Sequence, residues 1–357
     1  MPANTSGRDR RREKSRRLRR HFYRYYRWAW RGVLYVIIAA SLAIMLLPFA
    51  WMLSTSGKTL GEAMRIPPVW IPREQVKVEV AGQQLPLYRV ELEGETRELA
   101  LLERARGLGV FVDPHQPEQR FELPLEVARP VRRIRFRWEN FVVAWNMAPF
   151  DRYFLNSFFL AVTTALGGVI TSIFAAFAFA KMNFWGKNWL FYLLIGTMMI
   201  PGQMLLVPNY ITIKQIGWYN TYQALIIPWI ATVFGIFLLR QFFRTIPDEL
   251  WDSAQIDGCS RFRFLWQFVV PLSRPALVTL FLFRFIGSWN AFLWVLIMTR
   301  DDALRTVPVG LFTFSGEAGT DYHLLMAAAT MAMAPLVLLF LVAQRQFIQG
   351  VARTGLK

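Results

Sequence analysis

Few side chains in this sequence are arranged for covalent chemistry. The three histidines, His21, His115 and His323, stand far apart. None has a cysteine or carboxylate at a spacing that would make a metal-ligand set or a nucleophile–base pair. Cys259 is the single cysteine, so an internal disulfide framework is excluded. Gly57-Lys58-Thr59 has the ending of a phosphate-cradling loop, but the glycine needed five residues before Gly57 is Met52. What remains is the chemistry of recognition. Arg284 lies inside an apolar run, nine residues beyond Pro275, or roughly 13 Å at the helical rise. A charge at that depth is costly, which argues for a cavity or a charged partner. Trp289 and Asn290 follow it and offer a stacking face and an amide.

The second recognition element is the charged, turn-rich stretch 244–275, set between two long apolar runs. Pro247 suits a first helical turn, and Asp248 and Glu249 complement the positive end of a helix dipole. Leu250, Trp251 and Ala254 fall at helical spacing, and Gly258 after Asp257 is a helix stop. Phe262, Leu265, Trp266 and Val269 then recur at i, i+3, i+4 and i+7, before Pro271 and Pro275. The pattern predicts a short amphipathic helix, a sharp turn and a second surface helix. Such a pair either rests on lipid or fits a groove on a partner.

The elements that would position these residues are membrane helices. The chain has 357 residues, 54% of them hydrophobic, and several apolar runs of about 20 residues, the length that crosses roughly 30 Å of hydrocarbon. Its net charge is +17. Basic excess in a membrane protein belongs to cytoplasmic loops, and nothing beyond the N-terminal tail favours a nucleic-acid partner. Residues 1–31 are a basic tail, rich in arginine and interleaved with aromatics from Phe22 to Trp30, expected to be disordered and to set orientation at the lipid surface. Residues 32–53 read as a first transmembrane helix, too long for the core of a signal peptide.

Residues 54–149 differ in composition. Pro67-Pro68 to Pro72 reads as an extended linker. Alternation at Val76/Val78/Val80, Tyr88/Val90/Leu92, Val110 to Val112 and Ile134/Phe136/Trp138, broken by Gly82, Gly94, Gly107 and Gly109, predicts short antiparallel strands. This is a small β-rich insert outside the membrane. A helical core follows over 150–345, with helices predicted at 150–180, 189–207, 221–243, 276–298 and 324–344. The last outer loop carries Asp301, Asp302, Arg305, Glu317 and Asp321, and 346–357 is a basic tail. Lys181, Lys187, Arg240 and Arg244 place their turns in the cytoplasm. The fold class is therefore an all-α polytopic membrane protein. It has six transmembrane helices, both termini inside, a cytoplasmic surface helix and a β-rich extracytoplasmic insert.

Asp252-Ser253-Ala254-Gln255-Ile256-Asp257-Gly258, with Pro271-Leu272 and Pro275 downstream, resembles the Glu-Ala-Ala loop of ABC import permeases. Asp252 stands in the Glu position and Ser253 in the first Ala position. Met199-Ile200-Pro201-Gly202-Gln203, Phe237 to Phe243, Ser288 to Trp294 and Gln346 to Gly350 are similar to the carbohydrate-uptake branch, the maltose and glycerol-phosphate type. Val295 departs from it, where that branch usually has proline. So does the long insert. The resemblance implies that Glu249, Asp252, Ser253, Ala254, Asp257 and Gly258 form a coupling helix docking in a cleft of an ATPase dimer. It implies no catalytic residue and no resident cofactor here, with ATP and Mg held by that ATPase. It implies two further partners, a second permease subunit and an extracytoplasmic sugar-binding protein. Arg284, Trp289 and Asn290 become candidates for the pathway of a sugar or oligosaccharide, or for contacts between subunits. Two other readings are a permease for a non-sugar solute, such as a polyamine or phosphate, and a secondary transporter acting alone. The latter would show internal repeats and paired midplane charges.

Overall fold

A computed structural model describes residues 6–92, 95–105, 107–316 and 319–354. The outer ends of both basic tails (1–5 and 355–357), Gly94 and Glu317 lie outside the described residues. The chain divides into two units, Met1–Ser54 and Thr55–Lys357. The described part of the first is one helix, α1 (Ser6–Ser56), whose segment Trp30–Ser56 is apolar enough to cross a membrane. The tail is thus helical from Ser6 onward rather than disordered; arginine and leucine are good helix formers and extend the span's own hydrogen-bond ladder.

The second unit starts with a short helix, α2 (Leu60–Ala63), and the insert. β1 (Arg73–Gln75) pairs antiparallel with β8 (Arg132–Ile134) as a two-stranded ribbon. The ribbon leads into a sheet ordered β2 (Lys77–Val80), β3 (Gln83–Leu92), β4 (Glu95–Ala105), β5 (Leu108–Asp113) and β6 (Gln116–Pro124), with β7 (Arg129–Pro130) paired to β3. Both faces of the strands bury apolar residues: Leu85, Ala100 and Val112 fall in one cluster, and Val90, Leu99 and Phe111 in another. The insert therefore carries small apolar cores of its own. β4 and β6 add to the predicted strands, whereas Phe136 and Trp138 stand outside any strand and stack on each other and on Phe141. The two ends of the insert meet at a neck. The Asn140 amide of α3 (Glu139–Asn146) donates to the carbonyls of Ser56 and Lys58 at 2.7 and 2.8 Å, and the Arg137 N–H donates to Gly57 O at 3.0 Å.

The helical core is built on α4 (Phe150–Lys181). It packs against α8 (Val233–Phe243) and α12 (Arg274–Trp289), and α15 (Tyr322–Thr354) packs on α12 and α3. Small residues make this possible: Ala161, Ala165 and Ala176 of α4 are fully buried. Four helices are long and apolar enough to span a membrane, and two bent pairs bring the number to as many as six. The predicted third helix is broken. α5 (Lys187–Thr197) stops before Pro201-Gly202, and a 3₁₀ turn with α6 (Leu206–Gln215) continues at 87°, as expected where proline and glycine interrupt the ladder. The predicted fourth begins as α7 (Tyr222–Ile226), loosens at Pro228 and resumes as α8. The predicted fifth ends at Trp289 and restarts as α13 (Leu293–Met298).

At one end of the core the loop after α13 is clamped onto α4. Asn156 donates to Ala303 O and Arg305 O at 2.8 and 2.9 Å and accepts from Tyr222 at 3.0 Å. Tyr153 donates to Asp302 at 3.0 Å, and Val307 N–H donates to Ser157 at 2.9 Å, at the start of α14 (Val307–Leu311).

Candidate functional site

At the other end of the core lies the stretch 244–275. α9 (Glu249–Ile256) forms where the acidic first turn predicts it. It ends at Gly258, whose φ of +73° is left-handed and has no room problem, since a Cβ there would meet nothing within 4 Å. The turn is closed by backbone: Asp257 N–H donates to Ser253 O, Gly258 N–H to Gln255 O and Cys259 N–H to Ala254 O. The Asp257 carboxylate is exposed and makes no hydrogen bond among the described residues; bracing the turn falls to main-chain groups instead. α10 (Arg261–Phe264), capped by Ser260, passes through a π-turn over Leu265–Val269 into α11 (Val270–Leu272), and α12 leaves at 80°.

This hairpin is fused to the core along its inner face. Ala254, Phe264, Leu265 and Val269 are buried in one apolar cluster with Ile173 and Phe177 of α4 and with Leu239 and Phe243 of α8. Trp251 meets Phe264 edge-on at 5.1 Å, and Cys259 fills space beside them. Of the predicted apolar face, Leu250 turns outward instead. A polar staple adds to the packing. The buried Lys181 ammonium at the end of α4 donates to Ile246 O and to the Asp248 carboxylate, both at 2.5 Å. Arg240 sits 3.7 Å over the Phe191 ring and donates to Phe179 O at 3.2 Å, tying α8 to α5 and α4. Lys181 and Arg240 carried only an orientation signal in the sequence, because their partners lie more than 45 residues away.

The outer face is free. Glu249, Asp252, Ser253 and Asp257 are exposed, and Ile256 is 87% exposed. Three carboxylates and two aliphatic side chains, Leu250 and Ile256, are thus exposed on this short helix and its C-cap. Ala254, predicted with this group, is buried on the opposite face and acts in packing. Among the described residues no group of three His, Cys, Asp or Glu side chains could hold a metal ion.

A second feature lies deeper in the core. A cavity of about 290 Å³ is lined by Leu160 and Thr164 of α4, Leu225, Trp229, and Arg284 and Ser288 of α12, among others. The Arg284 guanidinium donates to Trp229 O, while its Nε is buried without a partner among the described residues. Gly168 leaves the space, for a Cβ there would stand 3.0 Å from that Nε. Trp229 and Trp294 meet edge-on at 5.5 Å. Of the three predicted pathway residues only Arg284 lines this cavity. Trp289 is 2% exposed, stacked on Phe285, with its indole donating to Ala332 O at 3.2 Å; it holds α12 to α15. Asn290 caps the end of α12 and is exposed outside the cavity lining. Thr164 and Trp229 carried no usable signal as single residues in apolar runs, and Ser288 stood out only as the start of the Ser288 to Trp294 motif.

A helical core with a cavity between α4 and α12 and a surface hairpin packed against one end suits a transport permease. Residues 168–353 match the family described as the binding-protein-dependent transport system inner membrane component. The chain belongs to that family: it is an inner-membrane transport subunit, and ATP hydrolysis is carried out by a separate subunit. The probable ABC transporter permease protein YurM of Bacillus subtilis (strain 168) is 38% identical over 221 residues, 61% of this chain and 73% of that one. The sn-glycerol-3-phosphate transport system permease protein UgpE of Yersinia pestis bv. Antiqua (strain Antiqua) is 34% identical, covering 60% of this chain and 79% of its own. Among solved structures, a bacterial ABC transporter involved in the import of the acidic polysaccharide alginate superposes with a TM-score of 0.63 at 17% identity. It covers 88% of this chain and 95% of that one, a likeness of fold.

Proposed function

We propose that this chain forms half of the translocation pathway of an ATP-driven importer for a sugar or oligosaccharide delivered by an extracytoplasmic binding protein. The observation that carries the reading is the hairpin 244–275, whose inner face is fused to α4, α8 and α12 while its acidic outer face is left for a partner. In this reading six spans cross the membrane, both termini are cytoplasmic, and the β-rich insert lies outside. Lys181, Lys187, Arg240 and Arg244 gather at the hairpin end, as the bias of basic residues to cytoplasmic turns requires. Glu249, Asp252, Ser253, Asp257 and Gly258, with Ile256, dock on an ATPase dimer that binds ATP and Mg.

Motion of the ATPase would pass through residues of this chain. A push on α9 reaches α4 through the Lys181–Asp248 contact and α12 through the 80° elbow. The helices of α12 and α4 meet at Arg284 and Gly168, so relative rocking would change the cavity that Arg284 lines. The cavity is apolar-walled with a few convergent polar groups, as ligand sites are; Trp229 and Trp294 offer ring faces and Arg284, Ser288 and Thr164 offer polar contacts to a polyhydroxyl solute. The permeases named for glycerol phosphate transport support such a substrate. A second permease subunit would supply the other half.

The test is purification of the tagged full chain in gentle detergent, with co-purifying chains identified by mass spectrometry. A second permease and an ATPase are expected. Recovery of this chain alone, moving solute in liposomes without ATP, refutes the reading in favour of a stand-alone transporter.

A further inference from the structure

The insert holds a feature that the transport reading does not use. Where the β1–β8 ribbon joins the larger sheet, a cleft of about 600 Å³ opens, a size ordinary for small-molecule sites. Five arginines line it: Arg65, Arg73, Arg89, Arg129 and Arg132. The rest of its wall is proline and valine, and no acidic side chain is among its described lining residues. Backbone bonds fix the junction: Val76 N–H donates to Val131 O, Leu87 N–H to Val76 O and Val131 N–H to Leu87 O, at 2.8 to 3.0 Å. Strand register then sets Arg89 directly opposite Arg129.

Like charges directly opposite on paired strands are destabilising, so this arrangement works against the fold. Arg89 has one relief, a 2.8 Å ion pair with Glu98 on its other flank. Arg65, Arg73, Arg129 and Arg132 make no ion pair with a carboxylate among the described residues. The insert does not lack acids, since β3 and β4 alone carry Glu91, Glu95, Glu98 and Glu103; Glu98 meets Arg89, and the Glu62 carboxylate accepts the Arg73 backbone N–H at 3.0 Å, but none of these acids lines the cleft. Guanidinium forks match carboxylate and phosphate oxygens in pairs, and several converging on one concavity would hold more than one such group.

We propose that this cleft is a binding site for a multiply charged oxyanion, bearing phosphate or carboxylate groups, presented either by a soluble solute or by an anionic lipid headgroup. Exposed Met64, Ile66, Trp70 and Ile71 flank its first arginines and suit the border between lipid and water, which is why both sources are kept as arms of one test.

The experiment uses the full chain in nanodiscs of phosphatidylcholine, with inorganic pyrophosphate as the probe and titration calorimetry as the readout. Arg129→Gln/Arg132→Gln is compared with Arg104→Gln/Arg120→Gln, which removes equal charge from exposed sheet positions outside the cleft. The cleft variant is expected to raise the Kd at least tenfold and the control less than twofold, and added salt should weaken wild-type binding. Repeating the titration in phosphatidylglycerol nanodiscs assigns the source. Loss of pyrophosphate binding there means a headgroup occupies the cleft, and its persistence means a soluble anion does. Equal binding by wild type and cleft variant in phosphatidylcholine, or none by either, overturns the proposal.

Discussion

Replacing Lys181 by methionine should loosen the hairpin without unfolding the core. The Lys181 side chain is 8% exposed, and its ammonium holds two acceptors at 2.5 Å, Ile246 O and an Asp248 oxygen. The Asp248 side chain is 82% exposed, so water replaces its half of the contact and that part is worth at most about 1 kcal/mol. The Ile246 bond is different: Ile246 is buried, and removing a charged donor from a buried carbonyl costs about 1–3 kcal/mol. A total of about 2 kcal/mol corresponds to roughly a 30-fold change in an opening equilibrium. Hydrogen exchange reads this directly, because local opening has its own free energy. In nanodisc-held protein, amides of 249–258 should exchange roughly 30-fold faster in Lys181→Met, while those of α4 and α12 stay protected. Asp248→Asn keeps an acceptor for Lys181 and should change exchange by less than about fivefold. Equal exchange in Lys181→Met and wild type would refute the staple. So would a larger effect of Asp248→Asn than of Lys181→Met.

Gly258→Val should abolish transport while leaving membrane insertion intact, since a β-branched residue at φ +73° is strained, whereas Gly258→Asn, which tolerates that region, should retain most uptake. Asn156→Ala removes two donated bonds and one accepted bond at the α4 clamp and should cost about 2–3 kcal/mol, seen as a lower thermal midpoint in detergent. The Glu139 carboxyl is held below the usual carboxylate range by a backbone hydrogen bond at its own helix start and by the Arg135 side chain. Its folded pKa is depressed, so its contribution is present above the unfolded value of about 4.3 and lost as pH falls through the folded one. The thermal midpoints of wild type and Glu139→Gln should therefore differ at pH 7 and converge as the pH drops below about 4. Arg284→Gln should alter the KM for the transported solute with a modest fall in thermal midpoint, because it relieves a buried Nε that has no partner among the described residues but gives up the bond to Trp229 O.

The parts legible in the sequence are those with one-dimensional causes. The run 150–180 is long and uninterrupted, and α4 extends it by one residue. Asp248 and Glu249 before Leu250, and Gly258 after Asp257, mark both ends of α9. Other features depend on partners far along the chain. Glu95 to Ala105 gives no clean alternation, yet becomes β4 because β3 and β5 flank it. Trp289 follows Arg284 by five residues, which on a helix turns it well away from the same face, and periodicity alone does not say which face meets the cavity. The break at Pro201-Gly202 was visible as residues but not as an 87° bend, whose angle is set by packing. The tail read as disordered because charge outweighs apolar content there, but its helix continues one that membrane length already favours.

The neck at Asn140 gives the insert the character of a cassette. Its entry and exit are joined by three hydrogen bonds across 80 to 84 residues. Whatever is threaded between them can lengthen, shrink or be exchanged while the helices on either side keep their places. A chain built this way can acquire a new specificity by grafting alone, with no repacking of the helices it is anchored to.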